Sequence, residues 1–552
     1  MPIDLPPLDL PAPQHLAASL SAREAAALDA IFLVVPSDRT PAAFTRVPDA
    51  ERWRGLHQRQ PARAGAVRHT TLGNAQQTTC VLGYLGPEAT AFDRLALSGR
   101  MVKCAIDRGL TRVAIATQGL EPVEAEMLEA LLAALYAQTF ELASFRSRPR
   151  AAPRALRQVL VAGARAPDFP RTLATARAGN LARWLTSLPP NFLTARDYRR
   201  LITQLARTYG LKLTWLDERA LAREKAGAFL AVAAANAQRD AGIAHLSYVP
   251  ARSGRQAASR ARHRADEKGP PPDLALVGKG ILFDTGGTNL KPHKSMLDMH
   301  TDMAGSAVAL ATLAALAELR VPFSADAWLA ITENQTGPAA YKPQDIVTAA
   351  NGVTIQVIHT DAEGRMALAD TLALASRTRP RCMIDYATLT GACVYALTER
   401  ISGVFTNRPA LVPQLIEAGA QSGERVWNFP FESDFDAELE SKVADVVQCA
   451  VDGKGDHILA ARFLNRFVDS RIAWVHMDLS SATRNGGLGH VTTDVTGFGV
   501  RLTLDLLLRE RLLEHLPAMP AAPARSTPAR RAARPARQPV PPRRAPSARS
   551  SR

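Results

Sequence analysis

The chain has 552 residues, of which 47% are hydrophobic, and it carries a formal net charge of +15. This length predicts two to four domains, and this apolar content is typical of a globular protein rather than a disordered one. No apolar run approaches the roughly 18–20 residues of a membrane helix, and Met1 to Pro7 lack the basic and apolar regions of a secretory signal, so we expect a cytoplasmic protein without a membrane partner.

The excess positive charge is concentrated in two segments that have no apolar periodicity. Nine arginines and no acidic residue lie in residues 517–552, and residues 252–268 add a further four positive charges. The rest of the chain is close to balanced, so charge alone does not require a nucleic-acid partner. Five scattered cysteines without CxxC spacing argue against a disulfide framework or a cysteine zinc site and indicate a reducing compartment.

In chain order, the predicted elements begin with a small α/β domain at residues 1–165. Its predicted strands are Ala30–Val35 and Arg112–Thr117, and its predicted helices are Phe92–Arg108 and Pro122–Ala143. Arg146–Arg154, rich in Arg, Pro and Ala, is a predicted linker. At the other end of the chain, residues 516–552 are predicted to be a disordered basic Pro/Ala/Arg-rich tail, because this composition cannot bury enough apolar surface to offset its ordering entropy.

Short apolar strands alternate with helices in residues 166–515. The predicted strands are Ile243–Val249, Leu274–Val277, Ala327–Thr332, Thr354–Thr360, Cys382–Thr388 and Ile472–Leu479, and the predicted helices are Ala304–Leu319 and Met366–Arg377. This alternation indicates a central, mostly parallel mixed sheet flanked by helices. We therefore predict the α/β class, with a smaller N-terminal α/β domain and a C-terminal catalytic domain that carries a mobile loop at 251–272. Functional residues in such folds collect at the carboxyl ends of strands.

Two segments that follow predicted strands concentrate acidic residues, lysines and glycines. Together they supply four carboxylates, on Asp284, Asp302, Asp361 and Glu363. Burying four carboxylates together would cost many kcal/mol without neutralisation, and two divalent cations would balance their charge. Two such ions about 3.5–4 Å apart form a hydrolytic site. A ligand set rich in oxygen favours Mn²⁺ or Mg²⁺, although Zn²⁺ also accepts carboxylates.

The backbone around these acids suggests how they come together. The glycines expected to permit sharp turns of positive φ near the ions are Gly278, Gly280, Gly286 and Gly287. We expect Asp361 and Glu363 to point to the same side of an extended segment. Gly364 would then let the chain turn into the next helix.

These segments resemble the leucine aminopeptidases, also called cytosol aminopeptidases. The family's signature Asn-Thr-Asp-Ala-Glu-Gly-Arg reads His359-Thr-Asp-Ala-Glu-Gly-Arg365 here. Upstream, the run from Val277 to Lys291 and the run Met299-His-Thr-Asp-Met-Ala-Gly305 match the family's metal-binding segment in order and spacing. Further similarity at Asp385–Ala392 and Trp474–Asp478 extends the likeness to roughly Leu173 to Leu513.

The resemblance implies a dinuclear aminopeptidase that removes N-terminal residues from peptides, with a Leu-like preference, as a homohexamer. The implied ligands of two Mn²⁺ or Zn²⁺ ions are Lys279, Asp284, Asp302, Asp361 and Glu363. Lys279 would bind as a neutral amine, which requires a pKa strongly lowered by the adjacent dications. Lys291 would polarise the scissile carbonyl, and Arg365 would hold a bicarbonate ion that helps to deprotonate the attacking water. The implied substrate-binding residues are Asn289, Met299, Thr388, Leu389 and Gly391.

The chain departs from the family pattern at a few positions, none of which removes an implied ligand. His359 replaces the first Asn of the signature, and it is either a strand histidine packed beside the site or a residue that tunes substrate or metal binding. Asn289 replaces a Ser found in many members. The loop Asp452–His457 differs from the family's glycine-rich loop.

Two other functions compete with the peptidase. The Arg-rich tail suggests an aminopeptidase-fold protein with an accessory DNA-binding or regulatory role, although disordered basic tails more often make salt-sensitive, non-specific contacts with nucleic acid. Another two-metal hydrolase, such as a phosphatase, is disfavoured because the cluster lacks histidine and because Lys279 is an unusual ligand.

Overall fold

The computed structural model describes residues 3–16, 19–39, 41–59, 61–148, 155–251 and 271–516. Most of the predicted loop at 251–272, most of the predicted tail at 516–552 and residues 149–154 of the predicted linker lie outside these ranges. Within the described ranges, each helix is too short or too polar to span a membrane.

Seventeen strands and fifteen α-helices lie in the described ranges. The strands are β1 Gln14–Leu16, β2 Ala30–Pro36, β3 Val67–Thr71, β4 Thr79–Leu85, β5 Arg112–Thr117, β6 Gln158–Ala162, β7 Lys212–Asp217, β8 Gly242–Tyr248, β9 Leu274–Asp284, β10 Ala325–Asn334, β11 Ile346–Thr348, β12 Thr354–Gln356, β13 Cys382–Ala387, β14 Ser402–Thr406, β15 Val426–Asn428, β16 Val446–Val447 and β17 Ala473–Asp478. The helices are α1 Ala22–Ala25, α2 Ala50–Gln58, α3 Ala91–Lys103, α4 Glu124–Gln138, α5 Phe169–Thr186, α6 Ala195–Thr208, α7 Glu218–Arg223, α8 Gly227–Ala233, α9 His293–Met296, α10 Ala304–Glu318, α11 Glu363–Ser376, α12 Gly391–Leu397, α13 Val412–Ser422, α14 Asp456–Asn465 and α15 Val500–Leu508.

The first six strands form one sheet in the order β1-β6-β5-β2-β4-β3. Neighbouring strands are parallel except β3 and β4, which are antiparallel. Successive residues of β2 enter different apolar clusters: Phe32 and Val34 pack on one face, and Ile31 and Leu33 on the other. The sheet is therefore covered on both faces, as its continuously buried strands require.

A second, eight-stranded sheet has the order β15-β14-β17-β13-β9-β10-β8-β7. Its four central strands, β17, β13, β9 and β10, are mutually parallel, and antiparallel pairs flank them. Alternate residues of β9 again enter two different apolar clusters, with Leu276 on one face and Val277 on the other. The carboxyl ends of the four parallel strands therefore meet at one edge of the sheet.

The predicted fold class, α/β with a mostly parallel mixed sheet flanked by helices, is confirmed. Two predicted strands differ from the structure by four or more residues at one end. Leu274–Val277 was too short, because β9 continues through the glycine-containing segment to Asp284. Thr354–Thr360 was too long, since β12 ends at Gln356 and belongs to a separate three-stranded sheet, β11-β12-β16.

Close contact between α10 and the central strands depends on small residues. A Cβ on Gly305 would lie 2.1 Å from the carbonyl oxygen of Tyr386, and a Cβ on Gly278 would lie 2.5 Å from the Cα of Ser306. Backbone atoms cannot turn aside as a side chain can, so both positions require glycine. Gly278 therefore serves close packing within β9 and not the positive-φ turn that we expected there.

Candidate active site

A cavity of about 730 Å³ opens at the carboxyl edge of the parallel strands. Eleven of the twelve predicted site residues line it: Lys279, Asp284, Lys291, Met299, Asp302, Asp361, Glu363, Arg365, Thr388, Leu389 and Gly391. Residues far apart in the chain meet here because β9, β10, β13 and β17 all end at this edge, as is usual for ligand sites in parallel sheets.

Lys279 lies in the middle of β9, and its buried ammonium is held by three groups. Its Nζ is 2.7 Å from Asp302 Oδ1 and 2.9 Å from Glu363 Oε1, and it donates a hydrogen bond of 3.0 Å to the carbonyl oxygen of Thr388. Burial disfavours the ammonium, but the neighbouring carboxylates, of which Asp302 acts most strongly, outweigh burial and raise the pKa of Lys279. Without cations, this lysine is therefore charged.

Lys291 pairs with the other two acids of the cluster. Its Nζ is 2.9 Å from Asp284 Oδ2 and 2.6 Å from Asp361 Oδ1. Burial again opposes the charge, but the carboxylates, with Asp284 the strongest, raise the pKa of Lys291. Two lysines thus balance four carboxylates only in part, and the cluster keeps a net negative charge.

Asp284 is fixed by neighbours at the ends of β9 and β10. Its Oδ1 accepts hydrogen bonds from the backbone N–H of Gly286, at 2.9 Å, and from Asn334 Nδ2, at 2.8 Å. Gly286 has a φ of +86°, a conformation that glycine adopts without strain. The expected positive-φ turn is present here and at Gly287, whose φ is +65°, whereas Gly280 lies inside β9.

Asp361 and Glu363 meet through a helix start and not through an extended segment as we predicted. Asp361 lies in a turn, and Glu363 is the first residue of α11. Gly364 is also helical, so it does not provide the turn. A Cβ there would lie 2.5 Å from Lys279 Cε and 2.7 Å from Lys279 Nζ, and the glycine therefore makes room for the buried lysine.

The geometry and chemistry of the cluster suit divalent cations. Ligand oxygens of Asp284, Asp361 and Glu363 lie within 4.8 Å of one another. The buried atoms Asp302 Oδ2 and Glu363 Oε2 accept no hydrogen bond from any described residue. Burial and the charge of Asp284 raise the pKa of Glu363 to about 8, and burial is also the main cause that raises the pKa of Asp302 to about 6. Bound cations would give these two oxygens a partner and would offset the repulsion between the carboxylates.

Arg365 is buried behind the cluster and is paired with a residue that the sequence did not single out. Its Nη2 lies 2.8 Å from each carboxylate oxygen of Asp456, and its Nη1 donates to the carbonyl oxygen of Gln448 at 3.3 Å. Burial opposes the charge of Arg365, but Asp456 outweighs it and raises the pKa of the guanidinium. The only earlier indication of Asp456 was its position in the loop Asp452–His457 that departs from the family pattern.

Gln448 and Asn334 are two further supporting residues that sequence reasoning missed. The Oε1 of Gln448 accepts from the backbone N–H groups of Ile358 and His359, both at 3.1 Å, and its Nε2 donates to the carbonyl oxygen of Ala362. Asn334, besides contacting Asp284, donates to the Thr360 carbonyl oxygen at 3.1 Å. Asn334 lies two residues after the predicted strand Ala327–Thr332, and a polar residue at that place was a usable signal, whereas Gln448 had none.

Two of the departures from the family pattern, His359 and Asn289, occupy different places. His359 is exposed and outside any strand, so the expected packed strand position is wrong; its Nδ1 accepts the backbone N–H of Asp361 at 3.2 Å. Asn289, a predicted substrate-binding residue, is not among the residues that line the cavity. Its Oδ1 accepts from the Thr360 N–H at 2.9 Å, and its own N–H donates to Thr360 Oγ1 at 2.8 Å. It thus joins the two acidic segments.

Of the remaining predicted substrate residues, Thr388, Leu389 and Gly391 follow β13, whereas Met299 lies in the turn before α10. Thr388 Oγ1 donates to Asp302 Oδ1 at 2.8 Å. Leu389 and Gly391 flank Thr390, which caps α12 and donates to Asp478 Oδ2 at 2.6 Å. Asp478, at the end of β17, therefore fixes this wall of the cavity.

Comparison with known proteins gives a consistent result. A profile of the catalytic domain of the cytosol aminopeptidase family matches residues 180–504. Relatives described as probable cytosol aminopeptidases include those of Chlorobaculum tepidum, 38% identical over 329 residues, and Syntrophotalea carbinolica, 42% identical over 331 residues. These matches cover 59% and 60% of this chain and 62% and 63% of the relatives, so the chain spans less than two thirds of their length. A third, from Parasynechococcus marenigrum, is 36% identical over 78% of this chain and 85% of its own.

Solved structures show the same similarity. A variant of tomato leucine aminopeptidase matches with a TM-score of 0.76 at 26% identity, over 91% of this chain and 97% of that one. The bottromycin maturation enzyme BotP, in complex with Mn, matches with a TM-score of 0.74 at 29% identity, over 88% of this chain and 100% of that one. Both matches extend beyond the profile match, because they include most of the N-terminal sheet region.

Proposed function

The chain belongs to the cytosol aminopeptidase family, and from this premise we propose that it is a metal-dependent aminopeptidase that removes N-terminal residues from peptides. The observation that carries the proposal is the meeting of five residues of the predicted ligand set in one buried cluster at the cavity: Lys279, Asp284, Asp302, Asp361 and Glu363. An acidic cluster of this kind, facing a cavity large enough for a peptide end, fits metal-assisted hydrolysis.

These five residues would hold two divalent ions. The unpartnered oxygens of Asp302 and Glu363 support this assignment, and the oxygen-rich set, together with the Mn complex of the similar BotP, favours Mn²⁺ over Zn²⁺. When bound, such ions polarise the scissile carbonyl and lower the pKa of the attacking water. Lys279 would join the set as a neutral amine, because the charge of two nearby dications outweighs the carboxylates that now raise its pKa.

The chain's own residues would orient and stabilise the reacting groups. Lys291 presents a cation at the cavity, where it would donate to the carbonyl oxygen as negative charge develops there. The substrate's free α-amino group would bind at this cluster. Because only the first residue of a peptide carries such a group, only N-terminal residues would be removed. Met299, Leu389 and the neighbouring Thr388 would contact the first side chain, and the two apolar groups support a Leu-like preference.

The direct test is hydrolysis of Leu- and Met-p-nitroanilide after loading with Mn²⁺ or Zn²⁺. We expect cleavage of both, and no cleavage of N-acetyl-Leu-p-nitroanilide, in which the amino group is blocked. Asp361→Ala should lower kcat/KM by more than the roughly 10–100-fold that loss of an outer-shell partner costs, whereas Asp434→Ala, which changes an exposed acid, should not. Folded wild-type protein that cleaves neither substrate with either metal would refute the proposal.

Assembly and location are proposed on the resemblance. We propose a homohexamer in the cytoplasm; the names of the relatives support the location. Sedimentation analysis at several protein concentrations tests the assembly, with a stable monomer as the contrary result. The alternative DNA-binding role rests on the basic tail, and a gel shift with and without residues 517–552 tests whether that tail binds nucleic acid.

A further inference from the structure

The pair formed by Arg365 and Asp456 has a geometry suited to proton transfer. Arg365 is fully buried, and its Nη2 lies 2.8 Å from both oxygens of the Asp456 carboxylate. The Asp456 side chain keeps 25% of its surface exposed and lines the same cavity as the acidic cluster. One side of this carboxylate is therefore held by a fixed cation, and the other faces the place where substrate would bind.

The other carboxylates that line the cavity are engaged differently. Asp302 and Glu363 contact Lys279, Asp284 and Asp361 contact Lys291, Asp478 is buried against Thr390, and Asp452 is exposed beside Lys454. Among the described residues of the cavity, Asp456 is thus the one partly exposed acid that lies outside the cluster. It is available to act on a proton.

Local structure holds Asp456 in place beside Arg365. It is the first residue of α14, where the unpaired N–H groups of the first turn favour a negative charge. The preceding Gly455 has a φ of +61°, which turns the loop so that the helix starts beside Arg365. The Gln448 carbonyl oxygen, which accepts from Nη1 at 3.3 Å, fixes the other end of the guanidinium.

We propose that Asp456 is the catalytic base of the reaction and that Arg365 is the residue that positions it. This inference rests on the proposed aminopeptidase function. Asp456 takes a proton from the attacking water as the water oxygen bonds to the carbonyl carbon and the carbonyl π pair moves to its oxygen. The carbonyl then re-forms, the C–N bond breaks, and the proton passes from Asp456 to the leaving nitrogen. No external reactant other than water is needed.

The proposal replaces the bicarbonate ion that the resemblance places on Arg365. The Asp456 carboxylate already occupies Nη2, so an external anion would have to displace a residue of the chain from its ion pair. The Nε–H of Arg365 has no partner among the described residues, which leaves one place where a small anion could bind without displacement. Activity and anion binding together distinguish the two arrangements.

The test compares wild type with Asp456→Ala and Asp456→Asn in buffer purged of carbon dioxide, with Asp434→Ala, which changes an exposed acid outside the cavity, as the control. Wild type and the control should be fully active and unaffected by added bicarbonate. Loss of a general base should lower kcat about 100–10,000-fold in both Asp456 variants, and bicarbonate or formate should restore activity of Asp456→Ala by about tenfold or more.

A second readout does not depend on activity. In metal-free protein, bicarbonate should raise the Tm of Asp456→Ala by at least about 2 °C, because it fills the space beside Arg365, and should leave wild type unchanged. Bicarbonate-dependent wild-type activity, a wild-type Tm shift equal to that of Asp456→Ala, or an unchanged kcat in Asp456→Asn would each overturn the proposal. Wild type that is inactive in every buffer would instead refute the aminopeptidase function, and the Tm comparison would still report whether Asp456 occupies the anion position.

Discussion

Replacement of Lys279 by Met tests whether this lysine neutralises the cluster when no metal is bound. The change keeps a long, flexible side chain but removes the ammonium. It leaves Asp302 Oδ1 and Glu363 Oε1, now 2.7 Å and 2.9 Å from Nζ, without their cation. The carbonyl oxygen of Thr388 loses its donor as well. Asp302 and Glu363 are buried and Thr388 is partly buried, so solvent can replace the lost partner only in part.

The expected cost follows from this burial. Removing one partner of a buried ion pair destabilises a protein by about 3–5 kcal/mol, because the other charge stays buried and unpaired. The pKa of Glu363 is raised to about 8 even with the lysine present. Near pH 7 this carboxyl can therefore take up a proton and avoid part of the cost, so the lower end of the range applies there. The loss should grow as the pH rises above 8.

Urea unfolding in the presence of EDTA measures this loss, with Lys454→Met as the matched control. Lys454 is exposed and pairs only with Asp452 among the described residues, so its replacement should leave the unfolding free energy unchanged. Equal stability of Lys279→Met and wild type in EDTA would refute the reasoning.

Three further predictions concern the surroundings of the cluster. Gly364→Ala should cost about 1–3 kcal/mol of stability by overpacking and should reduce activity more strongly, because the added Cβ displaces Lys279; denaturant melts and p-nitroanilide assays measure both effects. Asn334→Ala should weaken Mn²⁺ binding by about 10–100-fold, measured by calorimetry, because it frees Asp284. Burial raises the pKa of Asp370 to about 7, so the stability that its protonated form gives is present below pH 4 and lost as the pH rises through 7. Relative to Asp370→Asn, wild type should lose up to about 1.4 kcal/mol per pH unit in that interval, and parallel pH profiles of unfolding free energy would contradict this.

Much of the fold was predictable because strands that are buried on both faces read as continuous apolar runs. β5 matches its predicted range, and α10 ends one residue before the predicted end. The ends of β9 and β12 were not predictable from apolar pattern. β9 continues through Gly278, Lys279 and Gly280, which look unlike a strand, because α10 packs its backbone directly against that segment.

The site was predictable where local spacing decides it and unpredictable where the tertiary contacts decide it. The two acidic segments contain all four carboxylates of the cluster and both of its lysines. The role of Gly364 depends on a side chain 85 positions earlier, and the role of Asn289 depends on Thr360, 71 positions later. Asp456 lies 91 positions from Arg365, and no pattern within one segment relates the two.

The central claim is that the cluster holds two divalent ions on which peptide hydrolysis depends. Its most direct test is a titration of metal-free protein with Mn²⁺, in which the metal bound per chain and the rate of Leu-p-nitroanilide hydrolysis are measured in the same samples. The account predicts that activity rises with metal and reaches its maximum at two ions per chain, and that Asp361→Ala binds fewer ions and stays inactive. Full activity of the metal-free protein, or of Asp361→Ala, would contradict it.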